Sequence, residues 1–420
     1  MNLANQKNTA KKTFWGAFLF YFLIAFEFFY MASPFAIYFY SVYKPALNFF
    51  NKSPSLAWLI SFFMPHAVTQ TSSVLINVHN IAGAILATLG FLGFCIGAFQ
   101  IYYYKLTKKG VVTGGIYNYV RHPQYACFII CSFALLILWP RYIVLIMYVT
   151  MVFVYYILAK VEEKECEEKF GESYKAYREK TNMFLPFSIP FLKSVTKKFS
   201  SLPKSKDAKF LAVFLLYSII LTLSILAAKG INLLAIDSLY ATYDTHNVTL
   251  SVNKNDPDQI SKIVKIALSN EDVYNRVIDP TEEETKYLNY VLPSEWYVAE
   301  IPMNPPAITS SNKSERIGHK LPSDYNKNHY KIIFTKVQTR EGQSASGKHI
   351  LTSTYLREPL LEVWVDIRQN EVIKVLEMPE ENVYMFLSEW LHSVIANPYV
   401  RRLFNKVNVY DEVQEINEWA

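Results

Sequence analysis

Cysteine is scarce in this chain and confined to one half of it. Cys95, Cys127, Cys131 and Cys166 are the only four among 420 residues, and residues 230–420 contain none. No two of them have the C-x-x-C spacing of a metal knuckle, so neither a disulfide scaffold nor a cysteine metal site is expected, and no metal is called for. Cys127 and Cys131 stand one helical turn apart in an apolar run and read as small buried hydrophobes. The second half also lacks any repeat or catalytic motif. Its histidines, His246, His319, His329, His349 and His392, are scattered and read as surface or core residues. A cleavable signal peptide is not evident, because the first apolar segment is too long and has no small-residue cleavage site. Acidic residues are few in the first half. Lys and Arg against Asp and Glu give 23 − 9 = +14 for residues 1–229 and 19 − 27 = −8 for residues 230–420, which sum to the net +6. A basic, apolar half beside an acidic, soluble half argues against a nucleic acid partner and for a membrane protein carrying an extramembrane domain.

Apolar residues are abundant, at 51% of the chain, with Tyr and Phe concentrated in the first half. About five membrane helices are expected. The first, Phe14 to about Tyr40, follows Lys7, Lys11 and Lys12. The second, Leu75 to Tyr104, ends at Lys105, Lys108 and Lys109 and carries Gly93-x-x-x-Gly97, a close-packing pattern between membrane helices. Cys127 to Trp139 and Tyr142 to Ala159 form a short hairpin broken by Pro140-Arg141, and Phe210 to Ala228 is the fifth. Residues 44–74 are mixed, with Trp58 to Met64 suited to the membrane interface. The lysine clusters at 7–12, 105–109 and 193–209 then share one side, which places the amino terminus in the cytoplasm and residues 230–420 across the membrane.

The fold class expected is mainly α: a polytopic membrane bundle at 1–192, a basic linker and final span at 193–236, and a soluble α+β domain at 237–420. In that domain Asp256 to Ser269 has helical periodicity through Ile260, Ile263, Val264 and Ala267. Thr281 to Val291 is a second expected helix. Strands are expected over Lys331 to Thr339, His349 to Leu356, Leu361 to Ile367 and Val372 to Leu376, with Arg368 to Glu371 as a hairpin turn. Residues 380–406 read as an amphipathic closing helix.

Two polar islands flank the hairpin. Gly115-Ile-Tyr117-Asn-Tyr119-Val-Arg121-His122-Pro123-Gln-Tyr125 precedes it, and Glu162-Glu163-Lys-Glu165-Cys166 with Phe170-Gly171-Glu-Ser-Tyr174-Lys-Ala-Tyr177 follows it. A chain that goes out and comes back brings Arg121/His122 and Glu162/Glu163 to the same membrane face. Carboxylates suit an ammonium and hydroxyls, while Arg or His suits a carboxylate.

These residues, with Pro186, resemble the isoprenylcysteine carboxyl methyltransferase and phospholipid methyltransferase family over roughly residues 75–190. The resemblance implies an integral membrane enzyme that binds S-adenosylmethionine at the cytoplasmic face and methylates a lipidic acceptor arriving from the bilayer. It implies Tyr117, His122, Pro123, Tyr125, Glu162 and Glu163 as cofactor contacts. Arg121 is implied to orient the cofactor or an acceptor carboxylate, and for a phospholipid amine Glu162 or a nearby Tyr is the candidate base. Two positions depart from the pattern: Cys127, where the family often has Gly, and Cys166, where Leu is usual. Cys166-x-x-Lys169-Phe170-Gly171 is similar to a motif of the membrane sterol-reductase-like family, which implies an NADPH-dependent alternative. Cys127 motivates another alternative, a non-catalytic scaffold that displays the carboxy-terminal domain to a protein partner.

Overall fold

The computed structural model describes residues 22, 29, 32–36, 50, 53–65, 68–187, 206–278, 285–298, 301, 303–304 and 324–378. The chain divides into two units, Met1–His66 with Ser73–Ser238, and Ala67–Ser72 with Leu239–Ala420.

The first unit is helical. After a short turn at Val74–Asn77, α1 runs His79–Leu106. Its glycines form one face, because only a helix face without Cβ atoms allows a second backbone this close. A Cβ on Gly90 would stand 2.8 Å from the amide nitrogen of Cys131, and one on Gly93 would stand 2.7 Å from the Cys127 sulfur. The partner is α2, Pro123–Leu138, whose first residue is a proline with no N–H to leave unsatisfied. The expected Gly93-x-x-x-Gly97 contact is therefore made within the chain.

Trp139 to Arg141 turns α2 into α3, Tyr142–Phe170. The hairpin is filled by rings and sulfur: Tyr125 stacks on Tyr155 at 4.7 Å, and Ser132 Oγ donates to the Met151 sulfur at 3.3 Å. The 57–63 segment closes its turn, with Phe63 N donating to Pro140 O at 2.8 Å. Gly171 has φ +55°, a conformation that favours glycine, and it separates α3 from the returning α4, Glu172–Lys180. α5, Lys206–Asp237, packs on α3 through Tyr217, whose hydroxyl is 2.9 Å from Thr150 Oγ1.

Three of these helices are long and apolar enough to cross a membrane: His79–Leu106, Tyr142–Phe170 and Phe210–Asp237. α2, with 16 residues, spans only about 24 Å against a hydrocarbon core of about 30 Å. The expected span at 14–40 lies almost wholly outside the described residues, so the count of five is not reached among them.

The second unit is a six-stranded sheet in sequential order, β1 Ala241–Tyr243, β2 Asn247–Ser251, β3 Lys286–Pro293, β4 His329–Thr339, β5 Thr354–Asp366 and β6 Glu371–Glu377. β2 and β3 are parallel and the other neighbours antiparallel. The parallel step is bridged by α6, Pro257–Leu268, and α7, Glu271–Val277. Side chains alternate along β4: Ile332 and Phe334 join Ile260 and Ile263 of α6 in one core, while Ile333 and Val337 enter a second core with Leu288, Tyr290 and Ile350. Both sheet faces are therefore covered. Thr69 of the short inserted segment is hydrogen-bonded to Val252 O.

Two expectations are corrected. Lys286 to Val291, within the helix expected over Thr281 to Val291, lie instead in β3; a short apolar run buried on both faces carries no period that separates helix from strand. His349 to Leu356 is not one strand, since Lys348–Ser353 is a helical turn, α8, and β5 begins at Thr354. β1, β2 and α7 have no counterpart among the expected elements. The turn at 368–371 forms as expected, with Asp366 Oδ1 accepting from the amides of Arg368 and Gln369 at 2.7 and 3.0 Å. The closing helix at 380–406 and the linker residues 193–205 lie outside the described residues.

The close approach of α1 and α2 yields a stability prediction. Gly90→Leu should lower unfolding stability in detergent by about 1–3 kcal/mol, since backbone atoms stand where its side chain would go. Gly230→Ala, with nothing within 4 Å, is the control and should be neutral or mildly stabilising. Equal behaviour of the two variants would contradict the packing.

Candidate active site

Residues just before α2 pair briefly with the segment just after α4. Val120 and Asn182 form a parallel bridge, with Arg121 N donating to Asn182 O at 2.9 Å and His122 N to Met183 O at 3.1 Å. This fixes the start of α2 at Pro123 and holds Arg121 and His122 at the hairpin's open end. α3 runs past its apolar stretch by three turns, and that polar extension carries Glu162 and Glu163 to the same end.

The two islands meet. Arg121 Nε donates to Glu163 Oε1 at 2.7 Å, and Lys160 Nζ donates to Glu163 Oε2 at 3.0 Å. Arg121 Nη1 donates to the carbonyl of Arg178 at 3.0 Å and to that of Thr181. His122 Nδ1 lies 3.2 Å from Glu162 Oε2, and the Tyr125 hydroxyl donates to Glu162 Oε1. The two carboxylates differ in access: Glu163's side chain is 5% exposed and Glu162's is 39%. Glu163 is thus the buried hub, and Glu162 is the group that faces solvent.

Burial alone would make His122 harder to protonate. The contact with Glu162 and the charges of Glu162 and Glu163 outweigh it, and the imidazole pKa rises above its usual 6.5. Its Nε2 is buried without a hydrogen-bond partner, being 3.8 Å from Glu163 Oε1. Burial pushes the Tyr177 hydroxyl up to about 12, which keeps it a donor, and it binds Tyr117 O at 2.7 Å.

The other expected residues are placed less centrally. The Tyr117 hydroxyl donates to Gln124 Oε1 at 2.6 Å, on the α1 side of α2, and Pro123 contributes its position at the helix start. Four participants lie outside the expected set: Lys160, Gln124, Arg178 and Thr181. Lys160, one turn before Glu163, was findable from its i, i+3 spacing on a helix. Gln124 and Arg178 contribute through a side-chain amide and a main-chain carbonyl, for which the sequence carries no distinctive signal. Cys127 turns its sulfur into the notch at Gly93.

The residues suit S-adenosylmethionine by donor type. Glu162 is an accessible acceptor for ribose hydroxyls or an ammonium, and the unpartnered Nε2 of a His122 biased toward protonation is a buried donor that a ligand carboxylate would satisfy.

Residues 74–173 match the family model described as phospholipid methyltransferase. The matched stretch contains α1, the hairpin and both islands as far as Ser173, in agreement with the resemblance read from the motifs. It points to a membrane methyltransferase. No curated protein and no solved structure matches the chain.

The His122 interaction should be visible in stability. Because its folded pKa is raised, its contribution is fully present below about pH 6.5 and is lost as pH rises through the folded value. The difference in unfolding free energy between the protein and His122→Gln should shrink over that rise. A difference that grows with pH would contradict the assignment.

Proposed function

We propose that the protein is an integral membrane methyltransferase that uses S-adenosylmethionine to methylate a lipidic acceptor, either an isoprenylcysteine-type carboxylate or a phospholipid amine. The observation that carries this reading is the meeting of Arg121/His122 with Glu162/Glu163 at one end of an apolar hairpin, with Glu162 left open. The cofactor, when bound, supplies a methyl group made electrophilic by its sulfonium. The chain's own part is to bind, orient and exclude water. In this reading Glu162, with Tyr125 fixing one of its oxygens, holds hydroxyls or the ammonium, and His122 faces the carboxylate of the amino-acid tail. Tyr117 and Pro123 shape the wall beside them.

Arg121 already commits its Nε and Nη1 donors to Glu163 and two carbonyls, which favours a positioning role: it keeps Glu163 buried and the rim closed. A carboxylate acceptor would need no base, and its attack would be favoured mainly by alignment in a dry site. An amine acceptor must first lose a proton, and Glu162 is the base within reach of solvent. The non-catalytic reading rested on Cys127, and its sulfur lodges at Gly93. The lysine distribution supports a cytoplasmic amino terminus and site, with residues 237–420 across the membrane in a role of partner binding or assembly.

Binding of S-adenosylhomocysteine to the purified full-length protein tests this. Glu162→Gln and His122→Gln should each weaken it by about tenfold, or 1.4 kcal/mol, while Glu168→Gln at an exposed ion pair should not. Unchanged affinity in both site variants rejects the assignment.

A further inference from the structure

α1 turns its small residues and Phe94 toward α2, and among the described residues a stripe of its large side chains is left uncovered. Leu89, Leu92, Ile96, Phe99 and Tyr103 recur at spacings of three and four and are all more than 45% exposed. Near the site end this stripe holds a groove of about 440 Å³ lined by Cys95, Ile96, Phe99, Gln100 and Tyr103. The groove ends at cations. Lys109 Nζ sits 4.7 Å from the centre of the Tyr103 ring and donates to its hydroxyl at 3.2 Å, with Lys108 beside it. Neither lysine pairs with a carboxylate among the described residues. The sequence has no Asp or Glu between Glu27 and Glu162.

We propose that this groove docks an anionic glycerophospholipid, with an acyl chain along Ile96 and Phe99 and the headgroup phosphate at Lys108 and Lys109. Charge selects this occupant. A zwitterionic lipid brings no net charge to the lysines. A second copy packed symmetrically on the same stripe would bring its own Lys108 and Lys109 against these, so repulsion opposes it. The glycine face, on which membrane helices pack most closely, is already taken by α2, and large aliphatic side chains are well solvated by lipid tails. The proposal rests on α1 spanning the membrane and not on methyl transfer.

Native mass spectrometry of the full-length protein in detergent tests it, with phosphatidylglycerol, phosphatidylcholine and inorganic phosphate as separate probes. Phosphatidylglycerol should bind on the order of tenfold more tightly than phosphatidylcholine. Lys108→Gln/Lys109→Gln should abolish that preference, and Ile96→Trp, which fills the groove, should weaken both lipids. A preference absent from the unaltered protein, or one that survives the double variant, overturns the proposal. So does inorganic phosphate binding as well as the lipid, or a dimer that Ile96→Trp dissociates. Binding of S-adenosylhomocysteine on the same samples reports separately on the methyltransferase reading.

Discussion

The contact between Arg121 and Glu163 holds the site together. It joins residues 42 apart in sequence, and it does so where the start of α2, the polar end of α3 and the return from α4 meet. Removing either partner would take from a buried charge its closest counter-charge, which costs more than the pair itself contributes. The guanidinium also satisfies two carbonyls at the end of α4, so one side chain registers three segments. Glu163 is occupied by this duty and by Lys160, while the more exposed Glu162, one residue earlier, keeps solvent access beside His122 and Tyr125.

That contact depends in turn on apolar packing. The hairpin is short, and its two helices are kept in register by stacked rings running from His122 through Tyr125 to Tyr155. α1 lies close enough to α2 for backbone to meet backbone at Gly90, which stiffens the helix whose first turn bears the motif. The Gly93 notch accommodates the Cys127 sulfur, so the departure from the family pattern is absorbed between helices.

Much of this was legible in the sequence. The two polar islands, the apolar return between them and the Gly-x-x-x-Gly face are patterns of spacing, and spacing survives into structure because helices have a fixed period. Tertiary partnerships were not legible. Nothing local marks Gln124 as the acceptor for Tyr117, nor Thr181 as a carbonyl that Arg121 will find. In the sheet unit, β4 and β6 could be read from β-branched runs, whereas β3 was taken for a helix. Tyr287 to Leu292 is apolar or neutral at every position because both faces of the sheet are covered, and that coverage is invisible until the fold exists.

A double-mutant cycle between Arg121 and Glu163, read by unfolding in detergent, tests the central claim most directly. With Arg121→Gln, Glu163→Gln and the pair together, the account predicts that the double variant loses less than the sum of the two single losses by at least about 1 kcal/mol, because each single change leaves the other charge without its closest partner. Losses that simply add would mean that the islands do not touch, and the shared site would be lost with them.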